Sequence, residues 1–155
     1  MKYIFLDIDG PVNTGRNDYY DPERNGHPFD DMAVSQLRRI VSESGAAIVI
    51  SSSWRHMGLD RLKDLWREWN LPGQLAGVTP GIWGDGTFYR TRGEEIRHWL
   101  AVNALPPFSF VVLDDMGEGE ALDDQKESWV TVNPHCGITE EDADKAIRIL
   151  NVERP

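Results

Sequence analysis

The chain has a single cysteine, Cys136, which excludes an internal disulfide and any zinc site built from several cysteines. It has no apolar run long enough to span a bilayer. Strand-forming residues begin at position 2, so no targeting leader is expected. These absences set the expectation of a soluble, cytoplasmic protein with no membrane partner. Positive charge is also scarce: 16 Lys and Arg stand against 26 Asp and Glu, a net charge of -10. A chain of that sign does not coat nucleic acid or anionic lipid through its overall field, although it can still recognise one phosphate locally. No repeat, low-complexity stretch or linker interrupts the 155 residues, so residues 1–155 are expected to form one domain with a substantial core.

What is present starts at once. Tyr3, Ile4, Phe5 and Leu6 form an unbroken apolar run, the pattern of a strand buried on both faces. The run stops in Asp7-Ile8-Asp9, and Gly10-Pro11 is turn punctuation. Two carboxylates then sit at the carboxyl end of a strand, the edge where open α/β sheets bind ligands. Acids placed there are costly unless a cation or a hydrogen-bond network receives them. A calcium loop of the EF-hand kind also begins Asp-x-Asp, but it needs Gly at position 6 and Glu at position 12. Counted from Asp7, those positions hold Val12 and Asp18.

The rest of the chain alternates. Residues 14–30 read as a polar loop in which Arg16, Tyr19, Tyr20, Arg24 and His27 are candidates to meet a substrate, or ordinary solvated residues. Asp30 or Asp31 caps a helix running to about residue 44, with Val34, Leu37, Ile40 and Val41 as its apolar stripe and Gly45 as its stop. Residues 46–50 form a second buried strand ending in Ser51-Ser52-Ser53-Trp54-Arg55. Residues 59–69 carry Leu59, Leu62, Leu65, Trp66 and Trp69 at helical spacing, so the tryptophans belong to the core rather than to a stacking platform. A short strand is expected near 75–79, with a long loop behind it. Thr91 and Glu94 have the spacing of a capping box, opening a helix with Ile96, Trp99 and Leu100 inward. Residues 108–113 form a strand that ends in Asp114-Asp115; residues 116–127 are acidic and loop-like; residues 129–132 form a last strand. His135 and Cys136 read as loop residues. Residues 139–142 open a final helix with Ala143, Ala146, Ile147 and Leu150 inward.

Strands separated by helices argue for a parallel sheet covered on both faces. Right-handed crossovers then bring every strand's carboxyl end to one rim. Asp7, Asp9, Ser51, Asp114 and Asp115 meet there from three strand ends. Four acids and a hydroxyl need a cation, and hard oxygen ligands suit Mg²⁺ shared with a substrate phosphate. Zinc would require His or Cys, and neither is placed for it.

Asp7-Ile8-Asp9-Gly10 after an N-terminal strand resembles motif I of the haloacid dehalogenase (HAD) superfamily of phosphotransferases. Ser51 matches its motif II and Asp114-Asp115 its motif IV. The wording DIDGPVN, IVISSSWR, RGEEIRHWL and VLDDM is similar to one subfamily across nearly the whole chain: the HAD domain of Swiss Army Knife RNA-repair proteins and their stand-alone relatives. The resemblance implies an α/β HAD-like Rossmannoid three-layer sandwich with a central parallel sheet. It also implies a phosphatase using an aspartyl-phosphate, with phosphorylated substrates that include nucleic-acid ends. It makes Asp7 the nucleophile and Asp9 the acid and base. The Asp7 carboxylate, the Asp9 backbone carbonyl, Asp114 and Asp115 become the Mg²⁺ ligands. Ser51, with Ser52 as the alternative, binds a phosphoryl oxygen, and Gly10 joins the substrate-binding loop.

The sequence departs from the family at motif III, where a lysine is usual. Here stands Arg92, with Arg90 two residues earlier; Arg92 either grips phosphate or faces solvent at a helix start. Arg55 follows motif II and is a further candidate for phosphate or substrate. The second aspartate, Asp9, favours ester chemistry over dehalogenation, because a leaving halide needs no acid. The stretches after motif I and motif II leave room only for a minimal or absent cap, which implies an open site.

Overall fold

A computed structural model describes residues 1–14, 29–81 and 89–152. The elements run β1 (Lys2–Leu6), α1 (Asp31–Ser44), β2 (Ala47–Ile50), α2 (Leu59–Glu68), β3 (Leu75–Val78), α3 (Arg92–Asn103), β4 (Ser109–Asp114), β5 (Trp129–Thr131) and α4 (Glu140–Asn151). Short 3₁₀ turns occupy Ser53–Met57, Glu118–Glu120 and Asp123–Ser128. The last two lie in the acidic stretch expected to be plain loop. Among the described residues the five strands are all parallel, in the order β3-β2-β1-β4-β5. The α/β architecture expected from the alternation is therefore present.

Alternation along each strand divides the core into two layers. Ile4, Leu6, Ile48, Ile50, Val111, Leu113 and Val130 pack against Leu37 and Ile40 of α1, Leu62 and Trp66 of α2, and Ala143, Ala146 and Leu150 of α4. Tyr3, Phe5, Val49, Phe110, Val112 and Trp129 face the other way, against Ile96, Trp99 and Leu100 of α3. Among the described residues, three helices thus cover one face and a single helix the other. That thinner layer is stiffened by aromatic edges: Trp99 meets Tyr3 at 5.2 Å and Phe5 at 5.5 Å, both close to perpendicular. Trp66 is buried and Trp69 packs on the same core, in keeping with their place on the leucine stripe.

Caps set the helix ends. Asp30 accepts from the amides of Met32 and Ala33, at 2.9 and 3.1 Å, and Gly45 at φ 70° closes α1 onto the Val41 carbonyl. Asp30 also accepts from the Thr14 hydroxyl at 2.9 Å, and its N–H donates to the Val12 carbonyl at 2.8 Å, so the start of α1 is tied to the turn after β1. At α3 the capping box is half made. Thr91 accepts from the Glu94 amide, but the Glu94 carboxylate takes the Arg90 amide instead of the Thr91 one. The reciprocal box belongs to α4, between Thr139 and Asp142.

Any cap would be built from the stretches that follow β1 and β3. Among the described residues no helix or strand stands in either, and much of both, with Arg16, Tyr19, Tyr20, Arg24 and His27, lies outside the described residues. No helix among the described residues is long and apolar enough to cross a membrane.

Candidate active site

The register of the sheet assembles the site. Leu6 pairs with Ile50 on one side and with Leu113 on the other, so the residues that follow, Ser51, Asp7 and Asp114, form one row. The ladder continues through that row: the Ser51 amide donates to the Leu6 carbonyl at 2.9 Å, and the Asp7 amide to that of Leu113 at 3.0 Å. The strand order reverses between β1 and β4, and that is the switch point at which doubly wound sheets bind ligands. Each member of the row stands two positions beyond a residue facing α3 (Phe5, Val49, Val112), so the row shares the α3 side. The crossover from β3 delivers the first residue of α3, Arg92, to the same rim.

Asp7, Asp114 and Asp115 each offer one carboxylate oxygen, and these lie within 4.8 Å of one another. Asp7 and Asp114 are buried, Asp114 completely. Burial, then the Asp114 charge, then a side-chain hydrogen bond with Asp115 push the Asp7 carboxyl up to about 8, against the pull of Arg92. Burial pushes Asp114 up to about 6, opposed by the Arg92 guanidinium and by the Met116 amide on Oδ1 at 2.8 Å. Two buried oxygens of this group have no hydrogen-bond partner, Asp114 Oδ2 and Ser51 Oγ. Arg92 Nε is 3.5 Å from Asp114 Oδ2, a charge contact rather than a hydrogen bond. Crowded carboxylates, one of whose buried oxygens has no hydrogen-bond partner, fit a hard divalent cation, and the donor set is all oxygen.

Between the paired candidates the geometry discriminates. Ser52 Oγ accepts from the Trp54 amide at 3.3 Å and caps the Ser53–Met57 turn, whereas the Ser51 hydroxyl is uncommitted. Arg92 points into the cluster, with only 14% of its side chain exposed, and Nη1 donates to the Ser51 carbonyl; Arg90 is exposed. Arg55 is held differently. Its guanidinium makes a two-pronged pair with Glu95, at 2.7 and 3.1 Å, and donates to Thr79 Oγ1 at 3.2 Å. That leaves its charge neutralised at the neighbouring strand end instead of facing a phosphate. Gly10 has a reason beyond loop flexibility: at φ 110° it sits so close to Asp115 that a Cβ there would be 2.8 Å from the carboxyl carbon. Its amide donates to the Asn13 carbonyl at 2.8 Å. The His135 amide donates to Asn133 Oδ1 within a turn.

The side chain of Asp9 stands outside the three-carboxylate cluster and is exposed. Its oxygens accept from Asn13 Nδ2 at 2.8 Å and from Trp54 Nε1 at 3.2 Å. Neither partner was singled out from sequence, nor was Glu120, whose carboxylate accepts the Arg92 amide at 3.0 Å. Glu120 belongs to the acidic stretch that packs against the start of α3. Gly93 permits that approach, since a Cβ there would lie 2.4 Å from Gln125 Oε1 and 2.8 Å from the Glu120 carbonyl. The available signal for Asn13, Trp54 and Gly93 was their place inside the matched wording DIDGPVN, SSSWR and RGEEI.

The family model for the HAD domain in Swiss Army Knife RNA repair proteins matches residues 3–143. The chain belongs to that family. As a HAD domain, it has the membership that supports HAD-type phosphatase chemistry in general, and the cluster of Asp7, Asp114 and Asp115 is where such chemistry would sit. Among curated proteins and solved structures, none matches this HAD domain.

Proposed function

We propose that this HAD domain is a Mg²⁺-dependent phosphomonoesterase that works through an aspartyl-phosphate on Asp7. The observation that carries the reading is the convergence of the Asp7, Asp114 and Asp115 oxygens within 4.8 Å, beside a buried hydroxyl with no partner. In the first step an Asp7 oxygen bonds to phosphorus as the ester P–O bond breaks, and the Asp9 carboxyl gives its proton to the departing oxygen. In the second, Asp9 takes a proton from water while the water oxygen bonds to phosphorus and the Asp7–phosphorus link breaks. Phosphate leaves and both aspartates return to their starting state. Ser51 Oγ donates to a non-bridging phosphoryl oxygen, and Arg92 supplies fixed positive charge next to it. Asp7, Asp114 and Asp115 hold the cation. A Mg²⁺ held there would neutralise the repulsion between these carboxylates and the phosphoryl oxygens and so favour in-line attack by Asp7.

The substrate class we propose is a terminal 3′ or 5′ phosphate of nucleic acid, which the RNA-repair family supports. A second reading, a small phosphorylated metabolite or nucleotide, is favoured by the net charge of -10 and by the pairing of Arg55 with Glu95, which removes one cation from the strand-end rim. The purified protein is assayed with Mg²⁺ and with EDTA on an aryl phosphate, on oligonucleotides phosphorylated at either end, and on free nucleotides. Metal-dependent release of phosphate from oligonucleotides is the expected result. Release from nucleotides alone selects the second reading, and no metal-dependent release from any of them contradicts both.

A further inference from the structure

Asp9 is held from two sides by side chains with no other place in the proposed reaction. Asn13 Nδ2 donates to Oδ1 at 2.8 Å, and the Trp54 indole donates to Oδ2 at 3.2 Å. The donors come from different parts of the fold, Asn13 from the turn after β1 and Trp54 from the 3₁₀ turn after β2. Each is itself fixed. The Asn13 amide donates to the Ile8 carbonyl at 2.9 Å, and its carbonyl accepts from Gly10. The Trp54 ring lies against buried Phe29, centroids 5.7 Å apart, and Phe29 meets Trp69 edge-on at 5.3 Å. An exposed aspartate on a turn ordinarily samples several rotamers; this one is oriented. A carboxylate oxygen has two lone pairs, so one N–H on each oxygen leaves the other lone pair open to exchange a proton.

We propose that Trp54 and Asn13 are positioning residues for proton transfer, holding the Asp9 carboxyl in the direction from which it protonates the leaving oxygen. The inference rests on the reading of Asp9 as general acid given above. It separates from a merely structural role through the leaving group. An alkyl oxygen departs only when protonated, whereas a dinitrophenolate departs unaided, so a misaimed acid harms the first reaction far more. A damaged fold harms both alike.

The test measures kcat/KM with Mg²⁺ for wild type, Asp9→Asn, Trp54→Phe and Asn13→Ala, on glycerol 2-phosphate and on 2,4-dinitrophenyl phosphate. This parameter reports phosphoryl transfer to Asp7 and is blind to later hydrolysis of the aspartyl-phosphate. Trp54→Phe keeps a ring on Phe29 and removes the N–H. The expected result is that Asp9→Asn shifts the ratio of alkyl to aryl values by about 100-fold, the lower end of the usual span of general acid catalysis, and that Trp54→Phe and Asn13→Ala each shift it by about tenfold, a part of that contribution. Equal losses on both substrates, or none, in the two positioning variants while Asp9→Asn still discriminates would overturn the inference and leave Asp9's role standing. A shift in only one variant removes the other residue from it. Equal losses in Asp9→Asn overturn the acid/base reading, and this inference with it.

Discussion

Two arginines reach from neighbouring places on the same rim to carboxylates, and they end in opposite conditions. Arg55 and Glu95 form a closed pair: two hydrogen bonds, a third to Thr79, and side chains 19% and 8% exposed. Arg92 and Asp114 form an open one: a 3.5 Å approach, with the facing carboxylate oxygen buried and unbonded beside the unbonded Ser51 hydroxyl. A buried polar atom left unsatisfied costs on the order of 1–3 kcal/mol. The closed pair is ordinary structure joining the turn after β2 to α3. The open one is where the proposed cation would sit, since carboxylates outnumber the guanidinium around it.

Variants should separate the two pairs. The largest effect is expected at the open pair's centre: Asp7→Asn lowers kcat by about 10⁴-fold or more, as loss of a nucleophile does, while circular dichroism shows the fold retained. Arg92→Ala comes next, with kcat/KM down about 100-fold through lost phosphoryl stabilisation and little change in Tm. Glu95→Ala inverts the pattern. It strands Arg55 and destabilises the protein by about 3 kcal/mol, the lower end for breaking a buried pair, yet the folded fraction keeps a kcat near wild type. If Glu95→Ala abolishes turnover and Arg92→Ala only lowers Tm, the comparison is reversed.

The smallest effect concerns pH without metal. The folded-state values of Asp7 and Asp114 are raised to about 8 and about 6, from 3.8. Between those limits the folded chain binds more protons than the unfolded one, so stability falls as pH rises. In EDTA, Tm should drop by on the order of 5 °C from pH 5 to pH 8. Mg²⁺ should restore more of it at pH 8 than at pH 5. A Tm that rises over this range in EDTA contradicts the crowding of the carboxylates.

The layers and the meeting of Asp7, Ser51 and Asp114 were legible because a parallel sheet converts strand ends into a common rim without further information. Tyr3–Leu6, 46–50 and 108–113 each stop at a polar residue, and register does the rest. What sequence could not resolve was partner choice. Ser51 and Ser52 are alike in sequence, and only the start of a 3₁₀ turn commits one of them. Arg55 was a candidate for phosphate because Glu95 is forty positions away, and the crossover that joins them is a tertiary fact. The half-made box at Thr91 failed for a local reason: the Glu94 carboxylate found the Arg90 amide first. Trp54 and Asn13 stood inside the matched wording, but nothing in the sequence shows that side chains from two separate turns meet on the Asp9 carboxylate.

The central claim is that the Asp7–Asp114–Asp115 cluster receives one divalent cation in place of a proton. Calorimetric titration of Mg²⁺ at pH 7, repeated in two buffers of different ionisation enthalpy, tests it directly. The account predicts one site per chain, net proton release on binding, and loss of the site in Asp115→Asn. Absence of binding, or binding that releases no proton and survives Asp115→Asn, would contradict it.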